Sequence, residues 1–382
     1  MSLLDRPVLR ASAGAVSLVA VGALVLTAPA TAADVTAATT STVTAPHAAT
    51  VRTATTPTTP ATAARATSSV SAPLARGLYQ SAYSERNDVL WATAAVGQPP
   101  APVTGARLVK VDPDTLEVVS SYAPPLDATG QIQAAYGIDV DDEHNTVWVT
   151  DTRSHSVSVY SQRDGRHLAT LPDVPHPREV VVDEARDTVW ATAFGDGSLV
   201  AFDSRTFEET GRVTVPGAGP TGLAVNERTG AAYAADFTHD RIIEAAPGAA
   251  VPRLIPTGDG PLSVALSVDG RTAYTADQGT GTLSVVGLRE GAVVATVPTG
   301  AGAKSVASHP RSGRVLVVNR LAGSVSVVDP RTRVVVETVT TAALPNHVQV
   351  TNDGTAYVLD KSASGPAGED LITRVRLGAS HR

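Results

Sequence analysis

Seven short apolar runs recur along the chain, separated by polar turns. They are Leu90-Trp91-Ala92-Thr93, Val147-Trp148-Val149-Thr150, Val189-Trp190-Ala191-Thr192, Ala232-Tyr233-Ala234-Ala235, Ala273-Tyr274-Thr275-Ala276, Val315-Leu316-Val317-Val318 and Ala356-Tyr357-Val358-Leu359. From Trp148 onward their second residues lie 42, 43, 41, 42 and 41 positions apart, while Trp91 and Trp148 are 57 apart, which implies one insertion. All 3 tryptophans of the protein fall at this position, and three tyrosines join them. Each run is preceded by a short apolar strand such as Glu179-Val180-Val181-Val182. It is followed by an alternating strand such as Ser156-Val157-Ser158-Val159, an Asp-Pro turn such as Asp329-Pro330, and a Val/Thr-rich strand such as Val334 to Thr338. A fixed period of short strands, each unit unable to bury its own apolar faces, predicts one four-stranded blade per repeat. The expected fold is therefore all-β: a seven-bladed β-propeller of four-stranded antiparallel blades. The last repeat stops at its third strand, near Ile372 to Leu377. The segment from Ser71 to Arg76 is the expected donor of the missing strand, so the last blade is closed by an N-terminal strand and both sheet edges are hidden.

The pattern fails in the first seventy residues. Arg6 and Arg10 precede an apolar run from Ala11 to Val25, and Ala30-Thr31-Ala32 offers a cleavage site. Residues 1–32 read as a secretory signal peptide; the run is too short for a membrane span. Residues 33–70 are an Ala/Thr/Ser/Pro-rich linker, too poor in large apolar residues to order themselves. The propeller is expected over 71–382. These readings place the protein outside the cytoplasm, secreted after cleavage. The chain has no cysteine, which removes disulfides, thiol nucleophiles and cysteine metal sites. Its formal net charge is −7, so it is not a general nucleic-acid binder by bulk charge.

Charge is nevertheless concentrated where the fold would put a ligand. The repeat register places one residue per blade at a channel mouth: Tyr79, Tyr136, Arg178, Thr221, Leu262, Lys304 and Asn346. Loops after the second strands add Arg153, Phe194, Phe237, Arg320 and Lys361. The protein has only three lysines, and Lys304 and Lys361 both fall on this mouth. Cations track phosphates and aromatic rings stack on bases. The long loops, Ala94 to Ala106, Ser121 to Ala135 and Lys361 to Asp370, belong on the same face. Tyr79, Tyr136, Arg153, Arg178, Lys304, Arg320 and Lys361 are the candidate nucleic-acid or anion-binding residues. Glu179 and His347 form a candidate channel polar pair.

Other signals lead elsewhere. Asp151, Asp236, Asp277, Asn319 and Asp360 recur three residues after the repeat position, and are expected to bond backbone amides of their own loops rather than a metal. Gly217 to Gly222 matches a dinucleotide fingerprint but precedes a strand, and Gly300 to Ser305 lacks the glycines of a phosphate loop. No cofactor and no metal are expected.

The repeats resemble the YVTN β-propeller repeat through Val147-Trp148-Val149-Thr150-Asp151 and Val315-Leu316-Val317-Val318-Asn319. The region from about Arg76 to Leu377 is similar to the YncE family. Leu78-Tyr79 through Thr93, Val111-Asp112-Pro113, Pro177-Arg178-Glu179, Arg320-Leu321-Ala322-Gly323 and Pro345-Asn346-His347-Val348 carry that similarity. The resemblance implies an exported or periplasmic seven-bladed propeller that binds single-stranded DNA and has no assigned enzymatic role. The combined expectation is a non-enzymatic binding propeller whose partner is a single-stranded nucleic acid or another polyanion. The alternatives are a lactonase-like hydrolase using the Glu179/His347 pair, and a scaffold for an envelope protein partner.

Overall fold

A computed structural model describes residues 66–378. The leader assigned to 1–32 and the linker residues up to 65 lie outside the described residues. Twenty-eight strands form seven four-stranded antiparallel sheets, and the other regular element among the described residues is one 3-10 turn at Glu184–Arg186. Among the described residues no helix is long and apolar enough to cross a membrane.

The inner strands are Leu78–Ser84, Ala135–Asp141, Pro177–Asp183, Pro220–Asn226, Pro261–Leu266, Ala303–Ser308 and Pro345–Val350, for blades 1 to 7. Each packs against the inner strand of the next blade, and the seventh packs against the first. Blade 7 takes its outer strand from Ser68–Ala75, which pairs antiparallel with Asp370–Arg376. This is the closure expected from the incomplete last repeat. The closing strand begins at Ser68, three residues inside the segment read as linker.

The core lies between the blades, not within them. Trp91 packs with Ile138, Val147 and Tyr160 of blade 2. Trp148 packs with Val180, Val182 and Phe202 of blade 3. Tyr233 and Tyr274 each pack into the next blade in the same way, and Tyr357 packs with Leu78 and Leu90 across the closure. The repeated aromatic is therefore the side chain that buries one blade's face against the next, which is why it recurs. Burying such a ring removes a large apolar area from water, worth about 1.5–3 kcal/mol each.

At seven equivalent places the register between inner and second strands shifts, near the start of the inner strand. The shift frees Tyr79, Tyr136, Arg178, Thr221, Leu262, Lys304 and Asn346 from ladder pairing. A bulge of this kind re-aims side chains at a rim. Opposite three of these bulges stand Thr93, Thr150 and Thr192. The Thr150 hydroxyl accepts from Gly137 N (2.7 Å) and donates to Arg178 O of the next blade (3.0 Å). Thr192 likewise accepts from Glu179 N (2.9 Å) and donates to Thr221 O (2.9 Å). Gly137 must be glycine here, because a Cβ would stand 2.3 Å from Arg178 O.

The recurring acidic positions behave differently from expectation. Asp236 accepts from Gly219 N and Thr238 N, and Asp360 accepts from Ser362 N and Leu371 N, as foreseen. Asp151, Asp277 and Asn319 do not bond backbone amides. They bond the serine hydroxyl seven residues on: Ser158 at 2.5 Å, Ser284 at 2.6 Å and Ser326 at 2.9 Å. The third strand runs back beside them, so its serine reaches these side chains before any loop amide does.

Thr150→Val should destabilise the ring by about 1–3 kcal/mol, because a buried N–H and a buried C=O lose their shared partner while volume is kept. Chemical denaturation measures it. A change near zero would show that the seam is not held by this hydroxyl.

Candidate binding site at the channel mouth

The bulges deliver a continuous stack of cations and rings along one side of the mouth. Lys361 Nζ lies 3.4 Å from the Tyr79 ring centroid. Tyr79 and Tyr136 follow with centroids 4.7 Å apart, tilted by 41°. The Arg178 guanidinium then lies 5.3 Å from Tyr136 and 5.3 Å from Phe194. The guanidinium is thus held near two rings, and its buried Nε has no hydrogen-bond partner.

The structure separates the predicted cations into two kinds. Arg153 donates to Ala101 O (2.6 Å) and Gly97 O (2.8 Å), so it ties down the inserted loop of blade 1. Arg320 donates to Asn346 Oδ1 (2.8 Å) and Leu344 O (3.2 Å), and Asn346 Nδ2 donates to Tyr79 O (2.8 Å). These two arginines are partly spent on positioning the mouth. Lys304 and Lys361 are not: among the described residues neither makes a hydrogen bond through its amine or an ion pair. Burial, with Arg320 and Arg178 nearby, pushes the Lys304 amine down to about 8. Burial does the same at Lys361, also to about 8, with Asp370 opposing and Arg320 and Lys304 assisting. Asp370 is already engaged with Gly77 N and Leu78 N (2.7 and 2.9 Å). The mouth is therefore a cluster of cations that repel one another, with Asp370, the carboxylate beside Lys361, bound to backbone.

Glu179 and His347 face the channel but make no hydrogen bond to each other. Glu179 Oε2 accepts from Gln80 Nε2 at 2.9 Å, and burial pushes its carboxyl up to about 8. His347 Nδ1 accepts from Ser81 N at 3.3 Å, and burial pushes the imidazole down to about 3. The imidazole closes the seam between blades 7 and 1, and the nitrogen a general base would use is occupied by an amide proton. Asp139 was not singled out from the sequence. It lines the channel, accepts from Val182 N (2.8 Å) and Val140 N (2.9 Å), and burial raises it to about 7. Its signal is a carboxylate inside an otherwise apolar inner strand, Ile138-Asp139-Val140.

No protein-family model matches the chain. Two proteins named YncE and described as uncharacterized, from Escherichia coli O157:H7 and Escherichia coli K12, are each 26% identical to it over 238 residues. The match takes in 58% of this chain, which thus spans 65% of the length of these curated relatives. A crystal structure of virginiamycin B lyase from Staphylococcus aureus superposes with a TM-score of 0.65 at 11% identity, over 81% of this chain and 99% of that one, and shows the fold alone. Weak homology to YncE and the seven-bladed architecture are together consistent with a YncE-like propeller family.

Two expected outcomes follow from the shifted groups. The folded state resists protonating His347 until about 3, whereas an unfolded histidine titrates near 6.5. Stability from this group is full above the unfolded value and is lost as pH falls toward the folded one. His347→Gln, though less stable near neutrality, should lose less stability than the parent between about pH 7 and about pH 4.5 in urea titrations. An equal loss would show that His347 does not set the acid limb. Lys304 is depressed from 10.5 to about 8, so its full penalty is present below about 8. Lys304→Met should raise stability at neutral pH by roughly 1–3 kcal/mol, after discounting for its partial exposure. A destabilised variant would mean that the amine has a partner.

Proposed function

We propose that this YncE-like propeller is an exported, non-enzymatic binding module that holds a single-stranded nucleic acid or similar polyanion across the channel mouth. The observation that carries the reading is the stack from Lys361 through Tyr79, Tyr136 and Arg178 to Phe194, with Lys304 unpaired beside it. Unpaired ammonium groups and the Arg178 guanidinium supply phosphate contacts. The rings hold the cations in place at the mouth through cation–π contacts. An acidic protein with one cationic mouth confines a polyanion to that mouth. Export rests on the leader read over residues 1–32.

The test is titration of the protein with a fluorescein-labelled single-stranded oligothymidine at low and high salt. Affinity should fall steeply with salt, as counterion release requires. Arg178→Ala/Lys304→Ala should weaken it at least tenfold. Affinity should also fall as pH rises from about 7 to about 9, because Lys304 and Lys361 lose charge near 8 while phosphates do not titrate there. No binding at low salt, or binding untouched by the double substitution, overturns the reading.

A further inference from the structure

The mouth is continuous with a channel cavity of about 560 Å³ whose lining includes Tyr136, Arg178 and Lys304, within the range of small-molecule pockets, about 300–1,000 Å³. Its wall contains polar atoms that the protein leaves without partners. Gln80 is 7% exposed and Ser81 is 1% exposed, and both line the cavity. Gln80 spends its amide N–H on Glu179, so its Oε1 is buried with no donor; Ser81 Oγ is also without a partner. These are acceptor positions, beside the Glu179 carboxyl. Other unmet groups in the same lining have the opposite character. Lys304 is an unpaired amine, and Arg178 Nε is a buried N–H with no acceptor.

Each buried polar atom without a partner costs about 1–3 kcal/mol. Several such atoms in one cavity, both donors and acceptors, describe the complement of a ligand that carries both kinds of group. That ligand carries an anionic group facing Lys304 and Arg178. It carries N–H donors, best with positive charge, facing Gln80, Ser81 and Glu179. A polyanion satisfies only the first half.

We propose that the channel is a second binding site, overlapping the mouth at Arg178 and Lys304, for a small zwitterion: an α-amino acid or a dipeptide. Its carboxylate faces Lys304 and Arg178 and its ammonium group faces Gln80 Oε1 and the Glu179 carboxylate. Burial keeps Glu179 largely protonated in the empty channel, and a bound ammonium favours the ionised carboxylate. Arg178 and Lys304 are shared by both sites, Glu179 belongs to the channel alone, and the two sites are separable on that basis.

The experiment measures thermal shift and calorimetric binding with each of the twenty common amino acids and with glycylglycine, then with the N-acetyl and amide forms of the best probe. At least one probe should bind, and blocking either charged end should weaken it tenfold or more. Glu179→Gln should weaken the probe at least tenfold while its melting remains cooperative and its oligothymidine affinity stays that of the parent. Absence of binding by every probe overturns the inference, as does equal binding of the N-acetyl form, or unchanged affinity in Glu179→Gln. Oligothymidine binding is measured beside it on the same samples. Its failure alone would remove the mouth reading and leave the channel site standing, and the reverse result would do the opposite.

Discussion

A propeller has no core inside a blade, so everything depends on the seam between one blade and the next. Each seam joins an apolar contact to a side-chain hydrogen bond at the inner strand. Thr93, Thr150 and Thr192 donate to the carbonyls of Tyr136, Arg178 and Thr221, and Thr221 in turn donates to Pro261 O. Further round, Ser263 accepts from Val306 N, Ser305 from Val348 N and His347 from Ser81 N. Seven seams are thus closed by threonine, serine or histidine, with donors and acceptors exchanging roles halfway round. Removing any one leaves buried backbone groups unpaired at the narrowest part of the ring, where water has least access.

That constraint decides what the mouth can be. Three seam bonds join the third residue of one inner strand to the fourth of the next, at Ser263/Val306, Ser305/Val348 and His347/Ser81, and the other four end on the carbonyls of Tyr136, Arg178, Thr221 and Pro261; the bulges free the second residues from the ladder. Those second residues are Tyr79, Tyr136, Arg178, Thr221, Leu262, Lys304 and Asn346. A side chain freed by a bulge costs the sheet no pairing, so these positions range from Tyr, Arg and Lys to Leu, Thr and Asn, while the seams use only threonine, serine or histidine. The same logic removes His347 from consideration as a base: its ring nitrogen holds a seam.

Much of this was legible in the sequence, because the apolar half of a seam needs a large side chain at the same place in every repeat. Trp148 and Thr150 are two residues apart in one run, and they are respectively the packing and hydrogen-bonding halves of one contact. The closing strand was legible from the missing fourth strand of the last repeat, although its start at Ser68 was not, since Ser68, Ser69 and Val70 are continuous in composition with the linker. Arg153 read as a free cation because its acceptors, Gly97 and Ala101, belong to an insertion more than fifty residues away, beyond any periodic signal. The acidic ring could have been read correctly: Asp151/Ser158, Asp277/Ser284 and Asn319/Ser326 share one spacing, and antiparallel strands joined by a tight turn bring such pairs together.

The electrostatics of the mouth run against stability, and that is its most informative property. The protein has more acidic than basic residues, so carboxylates to neutralise Lys304 and Lys361 were available. Yet Asp370 is held by backbone amides, Glu179 is held by Gln80, and the two amines are pushed toward neutrality. A cluster optimised for the empty state would pair these charges or replace them with apolar groups. Charges kept desolvated and unpaired on a scaffold whose seams fix them in place are preorganised: the unfavourable work is done on folding, and an arriving anion meets groups with no competing partner to surrender.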